Sequence, residues 1–274
     1  MEENEEFETL VRTALKLVPD STGSAITRAL AGRIPPLGVL PGQQEALDRA
    51  ERISYGGGGV AWSWGSGPVV VFVHGWGGRA AQMAPLAAHV AGLGLRAVAL
   101  DVTAHGDATD RRGRWGYFLR DVAAVSQSLG EVHAYVGHSA GALTMMAARG
   151  VKGIRAKRYV CICAPSHPFP PIRAIRKRLD PSPGVVKDYQ DFIAEQFEVS
   201  WDELERGAAW AGVGEDLLLF YDAADRFVDH TEGDRIAALC PGSRLIKTKT
   251  HGHVRILASG ELRDAVGVFL RTAT

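Results

Sequence analysis

Five largely apolar runs, at residues 69–74, 95–101, 132–137, 158–164 and 216–221, dominate the middle and end of the chain. A strand with one wet face alternates apolar and polar positions, so runs like these predict strands buried on both faces of a sheet. Between them, residues 80–93, 117–129 and 140–149 repeat their apolar positions at helical spacing. Strand and helix in alternation predict an α/β fold, a mainly parallel sheet with helices on both sides. A last strand at 244–248 and a helix at 262–271 close the pattern.

The chain before the first run reads differently. Phe7, Leu10, Val11, Ala14, Leu17 and Val18 fall on one helical face, and Pro19 ends that helix. Residues 31–48 hold Pro35, Pro36, Pro41 and several glycines, a loop composition leading to a short polar helix. Residues 51–55 and 60–64 flank four glycines, Gly56 to Gly59, and form a hairpin. The glycines lack the Lys-Ser/Thr ending and following helix of a phosphate loop.

A long insertion separates the fourth run from the fifth. After Pro165, Pro168, Pro170 and Pro171, one helix puts Ile172, Ile175 and Leu179 on an apolar face. Its Arg173, Arg176, Lys177 and Arg178 lie elsewhere and read either as the solvated side or as a cluster that draws an anionic group to the entrance. Pro181 and Pro183 break it, and a second helix covers 185–197. The expected organisation is a helical extension at 1–50 packed on the core, a core at 51–165 and 215–274, and a helical cap at 166–214.

Composition narrows the partners. The 274 residues are 46% hydrophobic and 23% charged, enough to bury a sizeable core. Lys+Arg and Asp+Glu are both 31, so no overall basic field draws the chain to nucleic acid, and a small molecule is the expected partner. Glu2, Glu3, Glu5, Glu6 and Glu8 exclude the basic start of a secretory signal, which predicts a cytoplasmic protein. No apolar stretch nears the roughly 18 residues of a membrane-spanning helix, so no integral membrane segment is expected. Cys161 and Cys163, two apart in one strand, are expected on one face as small buried hydrophobes, and with Cys240 they show no zinc or disulfide spacing.

In a parallel sheet, ligands sit beyond the carboxyl ends of the strands. There the third run is followed by Gly137-His138-Ser139-Ala140-Gly141, a G-x-S-x-G pattern that turns a serine from strand into helix. The first run is followed by His74-Gly75-Trp76-Gly77-Gly78. Acyl transfer needs two N–H donors at the developing oxyanion, and Ala140 and Trp76 occupy the two positions that supply them. His74 reads as a residue that shapes the loop. Asp222, Asp225 and Asp229 follow the fifth run, and His251 and His253 follow the last strand, as candidate acids and bases.

The segments VVVFVHGWGG, LDVTAHGDA, VGHSAGA, LLLFYDAADRFV and HGHVRIL together resemble the signature blocks of bacterial α/β-hydrolases. That resemblance implies a triad of Ser139, Asp225 and His253, with no cofactor and no metal. It favours Asp225, which precedes Arg226-Phe227-Val228, over Asp222 and Asp229, and His253, which follows Gly252, over His251. The implied activity is cleavage of an ester or thioester through an acyl-enzyme. An acyltransferase and a non-catalytic ligand-binding protein on the same fold are the alternatives. Serine at the elbow sets the chain apart from dehalogenase-like and epoxide-hydrolase-like relatives, which carry aspartate there. Arg111, Arg112 and Arg114 read as a solvated loop or as a grip on an anionic substrate, and His105 as a structural turn, while Trp115 either lines a pocket or anchors the next helix.

Overall fold

The computed structural model describes residues 2–271 apart from 36, 57–58, 109–111 and 215, with side chains from residue 6 onward. Gly57, Gly58 and Arg111 of the sequence reading therefore lie outside the described residues. The chain begins with α1 (Glu2–Leu17), α2 (Asp20–Ala31) and α3 (Pro41–Leu47). Then come β1 (Glu51–Tyr55) and β2 (Gly59–Trp64), an antiparallel hairpin with Tyr55 opposite Gly59. Next are β3 (Val69–Val73), α4 (Ala80–Ala91), β4 (Arg96–Asp101), α5 (Trp115–Leu129), β5 (Val132–His138), α6 (Ala140–Val151) and β6 (Arg158–Ile162). The insertion carries α7 (Phe169–Leu179), α8 (Pro183–Phe197) and α9 (Trp201–Glu205). The remainder is β7 (Leu217–Asp222), α10 (Thr231–Leu239), β8 (Arg244–Thr248), α11 (Gly252–Arg255) and α12 (Gly260–Arg271).

The strands form one sheet in the order β1-β2-β4-β3-β5-β6-β7-β8. All pairs from β4 to β8 are parallel, and only the β1–β2 and β2–β4 pairs are antiparallel. The mainly parallel sheet is thus as expected. From β3 the chain winds outward to β4 and then crosses back to β5 on the other side. This reversal opens a crevice beyond the carboxyl ends of β3 and β5.

Burial explains the apolar runs. All five residues of β3 are buried, with Val71 and Val73 in the layer of Phe118 (α5) and Leu143 (α6). Val70 and Phe72 point the other way, into the layer of Met83 (α4) and Leu262 (α12). Each such side chain is worth about 1.5–3 kcal/mol relative to exposure, which holds helices on both faces. One expectation fails here: Cys161 and Cys163 are buried but on opposite sides of the sheet. The reason is that β6 ends at Ile162, and Cys163 has already turned out of the strand at φ 47°.

The N-terminal helices meet different parts of the fold. α3 packs on α4 of the core, whereas α1 packs on α7 and α2 on α8. The apolar face of α7 is buried at Ile172, Ile175 and Leu179. Its basic residues are divided in their roles. Arg178 pairs with Glu8 of α1, its Nε 2.8 Å from the carboxylate, and Arg173 donates to the Phe227 carbonyl. Arg176 and Lys177 are exposed. Among the described residues no helix is long and apolar enough to cross a membrane.

Candidate active site

Ser139 stands between β5 and α6 with φ 52° and ψ −120°, a region that L residues rarely occupy. Its N–H donates to the Ile162 carbonyl at 2.8 Å, so the neighbouring strand pins the turn. Both glycines of the pattern are needed for contact with backbone. A Cβ on Gly137 would lie 2.5 Å from Ala142 Cα, and one on Gly141 would lie 2.3 Å from the His74 oxygen. Gly75 abuts the serine from the loop after β3, where a Cβ would approach Ser139 Cβ to 3.1 Å. Neither Trp76 nor Ala140 donates its N–H to another described residue. At Ala140 this follows from its place in the first turn of α6, where N–H groups have no partner within the helix.

The candidate acid and base come together across the loops after β7 and β8. His253 Nδ1 is 2.6 Å from Asp225 Oδ2, and the Phe227 and Val228 N–H groups donate to Oδ1 at 2.7 and 3.0 Å. Burial alone would raise the Asp225 carboxyl, but the His253 contact and the two N–H donors outweigh it and hold the group below the usual carboxylate range. With the carboxylate ionised, Nδ1 carries the proton, which leaves Nε2 of neutral His253 as an acceptor. His253 lies beside the elbow, because His138 Nε2 is 2.8 Å from its carbonyl oxygen and the two rings are 4.7 Å apart. No hydrogen bond joins Ser139 Oγ to His253 among the described residues.

The competing candidates are engaged elsewhere. Asp222 accepts from the Thr248 hydroxyl at 2.5 Å and from the N–H groups of Ala224, Thr250, His251 and Gly252 at 2.9 to 3.0 Å. Burial opposes its charge, yet these donors pull its carboxyl well below the ordinary range. Asp222 therefore ties the loop bearing His253 to β7. Asp229 accepts from Thr231 at the start of α10, and the His251 ring faces Glu261 at 3.4 Å. His74 has both nitrogens in use, Nδ1 toward the Gly75 carbonyl at 2.7 Å and Nε2 accepting from Val102 N–H at 3.2 Å. Burial holds its pKa well below that of a free imidazole. His105, also buried, turns its Nδ1 to the Thr103 carbonyl at 3.1 Å. Trp115 opens α5 and packs on Trp76 and Phe197, ring centroids 5.3 and 5.5 Å away.

Two residues of the site were not singled out in the sequence. Cys163 Sγ, an Asp225 oxygen and a His253 nitrogen lie within 4.8 Å of one another. Burial pushes the Cys163 thiol up, so it stays protonated, and Asp225 and His253 already bond each other. The group is arranged for an acid–base pair more than for a metal ion. The second residue is His138, whose Nε2–H donates to the His253 carbonyl while its buried Nδ1 has no partner.

Burial, reinforced by His253 nearby, drives the His138 pKa from 6.5 down to about 3. The unfolded chain then takes up a proton below about 6.5 that the folded chain refuses until about 3, so stability falls as pH drops through that window. Thermal melts should show Tm falling steadily between those limits. His138→Gln, which keeps a donor for the His253 carbonyl, should make the fall shallower. His74, His105 and His167, lowered chiefly by burial, add to the fall, and Asp222 and Asp225, whose carboxyls are held low, add to it as pH drops through the usual carboxylate range. Parallel melting curves for variant and wild type would contradict this role.

With sheet, elbow and acid–base pair in view, the class of protein is defined. The chain belongs to the α/β hydrolase family, whose model matches residues 70–265. Among solved structures it is similar to a bromoperoxidase from Bacillus anthracis, with 15% identity over 81% of this chain and 100% of that one, TM-score 0.63. It is also similar to carboxylesterase CesB from Bacillus subtilis, with 17% identity over 85% and 96% of the two chains, TM-score 0.60. An epoxide hydrolase from Vigna radiata matches at 17% identity over 82% and 99%, TM-score 0.61. At such identities the likeness is one of fold. No curated protein sequence matches the chain.

Proposed function

We propose that the protein is a serine hydrolase that cleaves carboxylic esters or thioesters through an acyl-enzyme. The observation that carries this reading is the 2.6 Å contact between His253 Nδ1 and Asp225, which leaves Nε2 as the free base beside the elbow. Ser139 attacks the acyl carbon as His253 takes its proton, and Asp225 stabilises the imidazolium. The Trp76 and Ala140 N–H groups hold the oxyanion, helped by the positive end of α6. The imidazolium then protonates the leaving group. Water, deprotonated by the same histidine, attacks the acyl-enzyme and releases the acid. The hydrogen bond between Ser139 and His253 forms when substrate is bound.

In this reading the insertion at 166–214 is a cap on the core at 51–165 and 215–274. The N-terminal extension at 1–50 serves two parts of the molecule, α3 bracing the core and α1 and α2 buttressing the cap. Arg173 supports that arrangement by tying α7 to the carbonyl of Phe227, whose ring is 5.3 Å from that of His253. The test is a panel of nitrophenyl esters and acyl thioesters of increasing acyl length. Turnover of at least one series is expected, with an upper limit of acyl length set by the cap. Failure to hydrolyse any member would count against the reading.

A further inference from the structure

The ring of Trp76 helps wall a cavity of about 320 Å³ that neither Ser139 nor His253 lines. Its other walls include Arg28 of α2, Phe192 of α8, and Arg112, Arg114 and Trp115 at the start of α5. Three guanidinium-bearing residues and several aromatic rings thus share one cavity, and among the described residues no carboxylate lines it. Arg112 and Arg114, from a loop that the sequence offered either as solvated or as a grip for an anion, are part of its wall.

Arg28 is the informative member. Its guanidinium lies 4.5 Å over the Phe192 ring and pairs through Nη2 with Asp188 at 2.5 Å. Its Nε is buried with no hydrogen-bond partner among the described residues. Guanidinium groups beside aromatic faces are suited to a planar anion, because carboxylate and phosphate oxygens accept charge-assisted bonds while the rings cover the apolar body. The volume is at the lower end of the roughly 300–1,000 Å³ typical of small-molecule sites. Trp76 links the cavity to the chemistry, since its ring forms a wall while Gly75 beside it abuts Ser139. Arg28 precedes the family-matched residues 70–265, so this part of the wall lies outside the matched segment.

We propose that this cavity binds the anionic end of the substrate, an aromatic or apolar group bearing a carboxylate or phosphate, while the scissile acyl group sits at Ser139. The substrate part of this inference rests on the acyl-enzyme reading, so the test reads binding apart from turnover. Calorimetry on the Ser139→Ala protein would compare naphthoate, naphthyl phosphate and neutral naphthamide. At least one anion should bind about tenfold or more tightly than the amide, and the tighter of the two identifies the oxyanion. Arg114→Gln and Arg28→Gln, each added to that background, should reduce the anion preference about tenfold. Arg263→Gln, an exposed arginine on α12, should leave it intact. Arg114 is exposed, so its variant stays informative if the loss of Arg28 loosens α2. Equal affinity for anions and amide, or a preference unchanged in both variants, would overturn the proposal. Anion preference in a protein that hydrolyses no ester would leave the site standing and remove the acyl-enzyme reading. Hydrolysis without anion preference would do the reverse.

Discussion

Ser139→Ala should abolish the proposed ester hydrolysis, lowering kcat by a factor of about 10⁴ to 10⁶, while Tm should stay close to that of the wild type. The size of the loss follows from the mechanism, since without Oγ no acyl-enzyme forms and only the oxyanion donors and substrate binding remain. Stability is spared because the side chain makes no hydrogen bond to lose. The turn itself is held by backbone, through the Ser139 N–H to Ile162 and the close approaches at Gly137 and Gly141. Substantial hydrolysis by a clean Ser139→Ala preparation would assign the chemistry to another group.

The second large effect separates two neighbouring aspartates. Under the proposed mechanism Asp225→Asn and His253→Ala should each lower kcat severely, on the order of 10⁴ for the asparagine variant, because the amide would no longer hold the histidine in the tautomer that accepts from serine. Asp222→Asn acts on folding. It weakens a carboxylate that receives four N–H groups and one hydroxyl, two on one oxygen and three on the other, and at about 1.5–3 kcal/mol for each bond to a charged group the loss of two or three is severe. Denaturant unfolding of Asp222→Asn should show a clear drop in midpoint, with residual activity in the folded fraction. Asp225→Asn should show the opposite balance. A catalytic loss at Asp222→Asn without a stability loss would reverse the two roles.

Much of this organisation was readable from residue patterns, because buried parallel strands and amphipathic helices write their periodicity directly into the sequence. The elbow was readable for a related reason, since the backbone contacts at Gly137 and Gly141 exclude any other residue. What escaped was governed by long-range packing. Helix α2 carries Gly23, Ser24 and Thr27, poor helix formers chosen by the closeness of α8, where a Cβ on Gly23 would lie 2.9 Å from Val185. The role of His138 depends on a carbonyl 115 positions later, which no local spacing announces. Arg28 and Arg114 meet in one cavity only because α2 folds back over the loop before α5. The short helix α9 did leave a local signal, the reciprocal bonds of Ser200 and Glu203, in a Ser-x-x-Glu pattern that marks a helix start.

The central claim is that Ser139 is a nucleophile activated by His253 and Asp225, and covalent labelling tests it most directly. A fluorophosphonate reacts with a serine whose proton is being removed and ignores one that merely lines a pocket. Intact mass and peptide mapping should find one adduct per chain, on the peptide containing Ser139. His253→Ala and Asp225→Asn should slow its formation, and prior heat denaturation should prevent it. A folded protein that takes up no label, or takes it up on a different serine, would contradict the account.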